Sequence, residues 1–469
     1  MNQKSSSQKI LLYVLIGLLA LRLLSIGLYP LMDSSESRYA DSARRMAELN
    51  DWITVWFSDG SPFWGKPPFA FWLSALGFKV FGVNEFAARL PHLIISFVIS
   101  WLITIPIKKD KGNKSLYTQV VLWGGLLFYF TSAAVLTDMS LTLGTTIVMI
   151  GVWQLMHEDK NAKNTLWIAA GLTIGLLSKG PLTFVICGGS VLFWSLLNKN
   201  LIELLKKIKW LLLISVTLIL TLPWYILAEL KTPGFLNYFI IGEHWHRYVN
   251  SGWTGDKYGV AHAEPHGMIW LHTLVAWLPW PVLAPAFLFL KPEPADISSA
   301  DKSYWLLWAL WPSIFFTLAG NVIWTYVLPG VPAMALFSGY LLDRYKSKVI
   351  DYVLIVGLIL TSISLIVYVD MCRDGEYAEF KNTIGVVKDY QKDANSEIPL
   401  YFYGGMPFSA SFYTQGKSIK FDDWADLPTV AYVVVEDNAN IQSNLTITAH
   451  LKEISRRGTR RLYLWDAKK

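Results

Sequence analysis

Apolar segments of roughly bilayer length recur along this chain from residue 10 to about residue 370. About 20 apolar residues in a helix cross a hydrocarbon core roughly 30 Å thick. The runs fall near 10–30, 90–107, 116–134, 139–156, 165–178, 181–197, 209–228, 266–290, 303–319, 322–342 and 348–370. A shorter one, FAFWLSALGFKVFG at 69–82, reads as a re-entrant or interfacial helix. Only 16% of residues are charged, against about 25% in ordinary soluble domains. The fold class is therefore an α-helical polytopic membrane protein, with eleven spans on this count and eleven to thirteen once extra helices are allowed. A soluble protein with one large core is excluded.

The loops give an orientation. Residues 108–114, 198–209 and 343–348 are basic, as are Lys4 and Lys9, and positive loops stay on the cytoplasmic side. An odd number of spans then leaves the N-terminus cytoplasmic. The long loops 31–89 and 229–265 and the tail from 371 onward lie outside. The first run is longer than a signal-peptide core and reads as a retained helix. The net charge of +6 sits largely in short loops, where it reports topology rather than nucleic-acid binding. Cys187 and Cys372 are far apart and suggest neither a disulfide framework nor a CxxC site.

Residues 1–370 thus form a transmembrane domain, and 371–469 form a small external α/β domain. In the tail, 398–404, 429–437 and 460–466 read as strands, the last of them as a closing strand, and 408–415 and 445–455 as helices. NLT at 444–446 matches a glycosylation sequon, a weak pattern outside a secretory setting.

Four constellations carry groups suited to chemistry. The first loop opens with Asp33, Glu36, Arg38, Tyr39 and Asp41, followed by an amphipathic stretch, and later presents Lys66 before two prolines. Pro67 and Pro68 hold an extended turn. A carboxylate there can take a proton from a hydroxyl, and a lysine can neutralise a departing phosphate; the alternative is a solvated loop. Asp138 stands between two spans, where an acid is costly and by default functional; a helix N-cap is the alternative. Lys179 ends a span ahead of Gly180 and Pro181, as a cavity cation or as a snorkelling lysine.

The richest segment is 242–270, which contains Glu243, His244, His246, Arg247, Tyr248, Asp256, Tyr258, His262, Glu264 and His266. Arg247 is the natural phosphate partner, because a guanidinium binds two oxygens at once. The histidines and carboxylates lack any familiar metal-ligand spacing. Trp245, Trp253 and Trp270 suit an interfacial aromatic belt or a sugar platform.

Read in order, DSSESRYADSARRM, FWGKPPFAFWL, FGVNEFAARLP, LTDMSL, LSKGP, TLPWYI, EHWHRY, LPW and YVLPGVPAMAL resemble the ArnT-like, dolichyl-phosphate-mannose-protein mannosyltransferase superfamily. The resemblance runs from about residue 30 to residue 340. It implies the GT-C fold, an external cavity roofed by the first loop, and a sugar donor carried on a polyprenyl phosphate, usually undecaprenyl phosphate in bacteria. It further implies an inner-membrane enzyme with a periplasmic C-terminal domain. A sugar would pass with inversion to lipid A, another envelope glycan or a protein.

The resemblance assigns Asp33, with Glu36 beside it, as the base, and Lys66 and Arg247 as donor phosphate ligands. Asp138 and Lys179 match further cavity positions, Asp138 as a catalytic acid and Lys179 as a phosphate ligand. Arg38, Tyr39, Glu243, His244, His246, Tyr248, Asp256, Tyr258, His262 and His266 are assigned to the substrate cavity. Ser35 stands where many ArnT-like members carry aspartate. Gly65 replaces a glutamate that in relatives joins the EH histidine at a divalent metal, leaving His244 as the one matching ligand. The segment WTGDKYG and the residues after it replace the ArnT-like loop, so the resemblance does not carry aminoarabinose specificity over to this chain.

Two other readings accompany this one. A transporter or flippase of lipid-linked sugars has the same polytopic build, but it needs polar groups through the midplane and paired interrupted helices. A receptor acting through its C-terminal domain leaves the acids and bases of the first 270 residues without a task.

Overall fold

The computed structural model describes residues 5–468 apart from 59, 108–111, 260, 289, 295–296, 346, 374, 394–397 and 438–444. Every apolar run folds largely as helix, singly or in consecutive pieces. Six helices are long and apolar enough to cross a membrane: Ser6–Ser25 (α1), Glu85–Ile107, Thr137–His157, Trp210–Lys231, Trp324–Leu342 and Lys348–Arg373. Met268–Ala276 and Trp280–Phe287 make a seventh if their 76° bend is one crossing. The other four runs are shorter, less apolar or, at Gly125, broken. Length and apolarity alone thus support six or seven spans among the described residues. Residues 108–111 of the basic loop and Asn444 of the sequon fall outside those residues.

α1 starts with a capping box, in which the Ser5 hydroxyl accepts from the Gln8 amide and the Gln8 side chain accepts from the Ser5 amide. The helix carries one arginine, Arg22, which is buried. Its guanidinium donates to the Phe130 carbonyl at 2.7 Å and to Ser132 Oγ at 3.1 Å, so the charge is solvated by a neighbouring helix break. Ser7 and Tyr117 both donate to Asp351 on the last span, at 2.5 and 2.9 Å. Intramembrane charges are tolerated on these terms.

The first long loop is built as a roof. Ser35–Leu49 (α2) buries Tyr39, Ala40, Ala43, Met46 and Ala47, a helical stripe, against Phe71, Ala75 and Phe78 of Phe69–Phe81 (α3). Between them Trp56–Ser58 (β1) and Ser61–Pro62 (β2) form a short antiparallel ribbon. Glu85–Leu102 (α4) supplies Arg89, which is fully buried. Arg89 grips both oxygens of Glu36 at 2.8 and 2.7 Å, and it donates to the carbonyls of Ile26, Tyr29 and Pro30. One side chain therefore clamps the end of α1 to the start of α2.

The helices Thr137–His157 and Asn161–Lys179 form a tight antiparallel hairpin. A Cβ on Gly144 would lie 2.6 Å from the Gly175 amide, and one on Gly171 would lie 2.6 Å from the Gly144 carbonyl. Small residues at such crossings let backbones touch. The close crossing brings the first residues of one helix beside the last residues of the other.

The C-terminal domain carries five strands, Leu400–Tyr403 (β3), Ser418–Phe421 (β4), Val430–Glu436 (β5), Leu451–Arg457 (β6) and Arg460–Asp466 (β7). Their order is β4-β3-β5-β7-β6, parallel across β4-β3-β5 and antiparallel from β5 to β6. Two sequence expectations are corrected here. The segment 445–455 is helical only over Leu445–Thr448, because β6 pairs along β7 and tertiary pairing overrides local helix preference. The 460–466 strand does not close the sheet but lies inside it.

This domain is fastened to the roof by the helix Phe408–Tyr413, which packs on α2. Ser411 Oγ donates to Asp41 at 2.8 Å, and Tyr413 Oη donates to Glu85 at 2.9 Å while accepting from the Leu31 amide at 2.8 Å.

Candidate functional site

A cavity of about 480 Å³ opens where the roof meets the bundle. One wall is apolar, with Leu182, Val185, Ile240, Ile241 and Phe315. The opposite end carries Lys66, Lys179 and Arg247. Each cation reaches it by a different local device. Lys66 follows the β1–β2 ribbon, and Pro68 caps α3 directly behind it. Lys179 is the last residue of its helix, delivered by the glycine hairpin. Arg247 follows a wide π-type turn over Tyr238–His246, a local geometry common at functional sites.

The charges balance. Lys66 Nζ lies 2.6 Å from Glu243 Oε2, and Lys179 Nζ lies 2.7 Å from Asp138 Oδ1. Arg247 Nη1 is 3.3 Å from Glu243 Oε1 and 3.1 Å from Asp256 Oδ2. Three cations thus face three carboxylates. Burial alone would raise the Glu243 carboxyl, but Lys66 and Arg247 outweigh it and hold the group below its ordinary range. Arg247 stays charged, its pKa raised: burial opposes the charge, and the surrounding tyrosines and carboxylates outweigh burial. Its Nε is buried and makes no hydrogen bond. Leaving a buried donor unpaired costs about 1–3 kcal/mol, more when the group is charged.

Of the residues the resemblance assigned to the site, Lys66, Lys179, Glu243, His244, Arg247 and Tyr248 line the cavity, and Trp245, read in sequence as a belt or platform residue, lines it as well. Asp138 adjoins it through Lys179. Four others support the wall. Arg38 donates to the Tyr258 carbonyl and sits over the rings of Tyr39, Phe63 and Phe408. Asp256 orients Arg247 and accepts from the Tyr258 amide at 2.9 Å. Burial pushes the Tyr258 hydroxyl up to about 12, and it donates to the Pro62 carbonyl at 2.8 Å.

The remaining five lie elsewhere. His246 meets Asn250 and stacks near Trp253. His262 and His266 are exposed; burial and Arg247 together lower the His262 pKa. Glu36 is engaged by Arg89. Burial would raise its pKa, yet the guanidinium brings it below the ordinary value. Asp33 accepts from the Ser409 amide at 2.9 Å and from the Ser409 hydroxyl. Burial raises its pKa despite those bonds. Neither acid is among the residues that line the cavity.

A metal does not fit here. His244 Nδ1 lies 2.7 Å from the Phe239 carbonyl and Nε2 lies 3.0 Å from the Lys179 carbonyl, so both ring nitrogens are occupied. A Cβ on Gly65 would lie 2.8 Å from the Phe63 ring, which fills the space of the absent glutamate. Among the described residues no cluster of three His, Cys, Asp or Glu side chains is placed to hold a cation.

Sequence reasoning missed Tyr326, Asn321 and Tyr238. Tyr326 lines the cavity with Lys179 Nζ 5.2 Å from its ring centre, and it opens the YVLPG motif, which was signal enough. Asn321 Nδ2 donates to the Arg247 and Asn250 carbonyls, both at 2.7 Å. Tyr238 donates to Glu243 at 3.3 Å. Nothing local marks either of these two.

Fold and site together define a polytopic membrane protein with an amphiphilic cavity, apolar along one wall and cationic at one end, roofed by its first long loop. The chain belongs to the dolichyl-phosphate-mannose-protein mannosyltransferase family, whose sequence profile matches residues 5–239. Its fold is that of ArnT from Cupriavidus metallidurans, the GT-C arrangement the motifs implied. The TM-score is 0.79 to the form bound to undecaprenyl phosphate, over 98% of both chains at 17% identity. It is 0.80 to the apo form, over 99% of both chains.

Curated relatives include undecaprenyl phosphate-alpha-4-amino-4-deoxy-L-arabinose arabinosyl transferases. That of Pseudomonas savastanoi is 27% identical over 332 residues, 70% of this chain and 60% of the relative. That of Enterobacter is 28% identical over 346 residues, 72% of this chain and 60% of the relative. The chain spans about 60% of the length of the curated relatives it matches.

Proposed function

We propose that this protein is a membrane glycosyltransferase that takes a sugar from a polyprenyl-phosphate donor. The unpaired Nε of Arg247, buried beside Lys66 at the cationic end of an apolar-walled cavity, is the observation that carries this reading. A phosphate supplies the missing acceptor, and a guanidinium with a neighbouring ammonium suits its oxygens. The prenyl chain lies along Leu182, Val185, Ile240 and Ile241. Because the three cations are already balanced, the phosphate displaces Glu243, whose two contacts to Arg247 are both long at 3.3 Å.

The reaction is a displacement with inversion. The acceptor hydroxyl forms a bond to the anomeric carbon, the carbon–phosphate oxygen bond breaks, and its electron pair leaves on the polyprenyl phosphate. Lys66 and Arg247, with Lys179 beside them, stabilise that leaving charge. For the base we favour Asp33 over Glu36. Glu36 is held by a guanidinium and has a depressed pKa, whereas Asp33 has a raised one and is held by one hydroxyl and one amide. Asp33 acts once the Ser409 contacts open.

The relatives are named for 4-amino-4-deoxy-L-arabinose on undecaprenyl phosphate, and an undecaprenyl donor is the natural reading here too. The distinct second loop leaves the sugar unassigned, and the acceptor is lipid A, another envelope glycan or a protein. By the same proposal the protein lies in a bacterial inner membrane, with its N-terminus cytoplasmic and its C-terminal domain periplasmic. Mass spectrometry of envelope lipids, glycans and proteins from cells with and without this chain tests the reading. Loss of one sugar from one component is expected; identical envelopes contradict it.

A further inference from the structure

Two more pockets meet where the C-terminal domain rests on the end of the bundle. One, of about 210 Å³, is lined by Arg373, Lys388, Lys392, Arg457 and Arg460 against two acids, Glu379 and Asp389. The other, of about 500 Å³, shares Arg373 and Lys388 with it and continues to Leu28 at the end of α1 and to the turn between α3 and α4. The pair therefore joins a cationic hollow to the rim of the membrane-spanning bundle.

Arg457 and Arg460 are engaged by neighbours, whereas the two lysines are not ion-paired among the described residues. Arg457 holds Asp389 with two bonds of 2.7 and 2.9 Å. Arg460 donates to the Glu379 and Asn382 carbonyls at 2.6 and 2.8 Å. Lys388 and Lys392 are exposed, and no ion pair of either is seen among the described residues. Arg373 is the last residue of the last span, so the hollow stands at the level where that helix leaves the apolar layer. Below it the surface turns apolar: Leu28 is 61% exposed, Phe81 52% and Val80 71%. Excess positive charge directly above exposed apolar side chains is complementary to one kind of molecule, an amphiphile with an anionic head.

We propose that these joined pockets bind the phosphate-bearing headgroup of a membrane lipid, with Lys388 and Lys392 taking the phosphate and the acyl chains running past Leu28 and Phe81. The site is separate from the cavity at Arg247 and does not depend on the transfer reaction. A soluble phosphate shares the charge chemistry but makes no use of the apolar rim.

Native mass spectrometry of the full chain in detergent, with added phosphatidylglycerol, tests this. The double variant K388Q/K392Q is expected to retain lipid roughly ten-fold less well, since each surface lysine contributes measurably to anionic headgroup binding. The matched variant K452Q/K468Q, which removes two exposed charges of the same domain that line neither pocket, is expected to retain it as the wild type does. Equal retention by K388Q/K392Q, or equal loss in K452Q/K468Q, overturns the proposal. Displacement of the lipid by millimolar inorganic phosphate also overturns it, because it marks a soluble-anion pocket.

Discussion

Replacing Arg247 with alanine is expected to lower kcat/KM for a lipid-linked donor by about a hundred-fold or more. Removing one preorganised donor from an oxyanion-type site costs on the order of a hundred- to a thousand-fold. In the proposed reaction Arg247 is such a donor, and it is preorganised: Asp256 holds it at 3.1 Å, and Asn321 fixes its backbone carbonyl at 2.7 Å. Lysine is expected to rescue little, since it lacks the planar fork. Lys66→Ala should act in the same direction and more weakly, because Lys66 is a single point charge tied to Glu243. Steady-state kinetics with varied donor measure both. An Arg247→Ala enzyme within about three-fold of the wild type would remove the phosphate role.

The second large effect is expected at Asp33. If its carboxylate takes the acceptor proton, Asp33→Asn lowers turnover by about a hundred- to ten-thousand-fold, the usual contribution of a general base. Ser409→Ala removes the hydroxyl that holds this carboxylate and should leave at least about a third of the activity. A purely structural link between roof and C-terminal domain predicts instead that both variants lose a similar, modest amount. The pH profile adds an independent reading. Burial raises the Asp33 pKa, the base works only when ionised, and activity therefore climbs with pH through that raised value. The acid limb should lie above the range of an ordinary exposed carboxylate, and Ser409→Ala should move it.

Much of the architecture was legible because membrane helices announce themselves locally. All eleven apolar runs are helical, and the 408–415 and 429–437 segments fold as their patterns indicate. The cavity cations were also legible, since Lys66, Lys179 and Arg247 stand in short motifs whose chemistry needs no partner to be recognised. What sequence did not disclose is which carboxylate each cation meets. Asp33 and Ser409 are 376 residues apart, and Glu36 and Arg89 are 53 apart. Only the folded chain brings those pairs together, and they decide which acids are spoken for.

Glycine carried information in both directions. Gly144, Gly171 and Gly175 read as ordinary span residues, yet their close crossing sets Asp138 against Lys179. Gly65 was recognisable as a missing ligand, but that the Phe63 ring fills its place was not. The strand β6 escaped because its pattern, LKEISRR, suits a helix as well as an edge strand, and β7 decides between them.

The most direct measurement is the release of free undecaprenyl phosphate by the purified protein in detergent, supplied with an undecaprenyl-phosphate-linked sugar and an envelope acceptor. The reading proposed here predicts equal amounts of released lipid phosphate and glycosylated acceptor, with both nearly abolished by Arg247→Ala. A protein that binds the donor yet yields neither product, with its native sugar and acceptor supplied, would contradict it and favour a carrier of lipid-linked sugars.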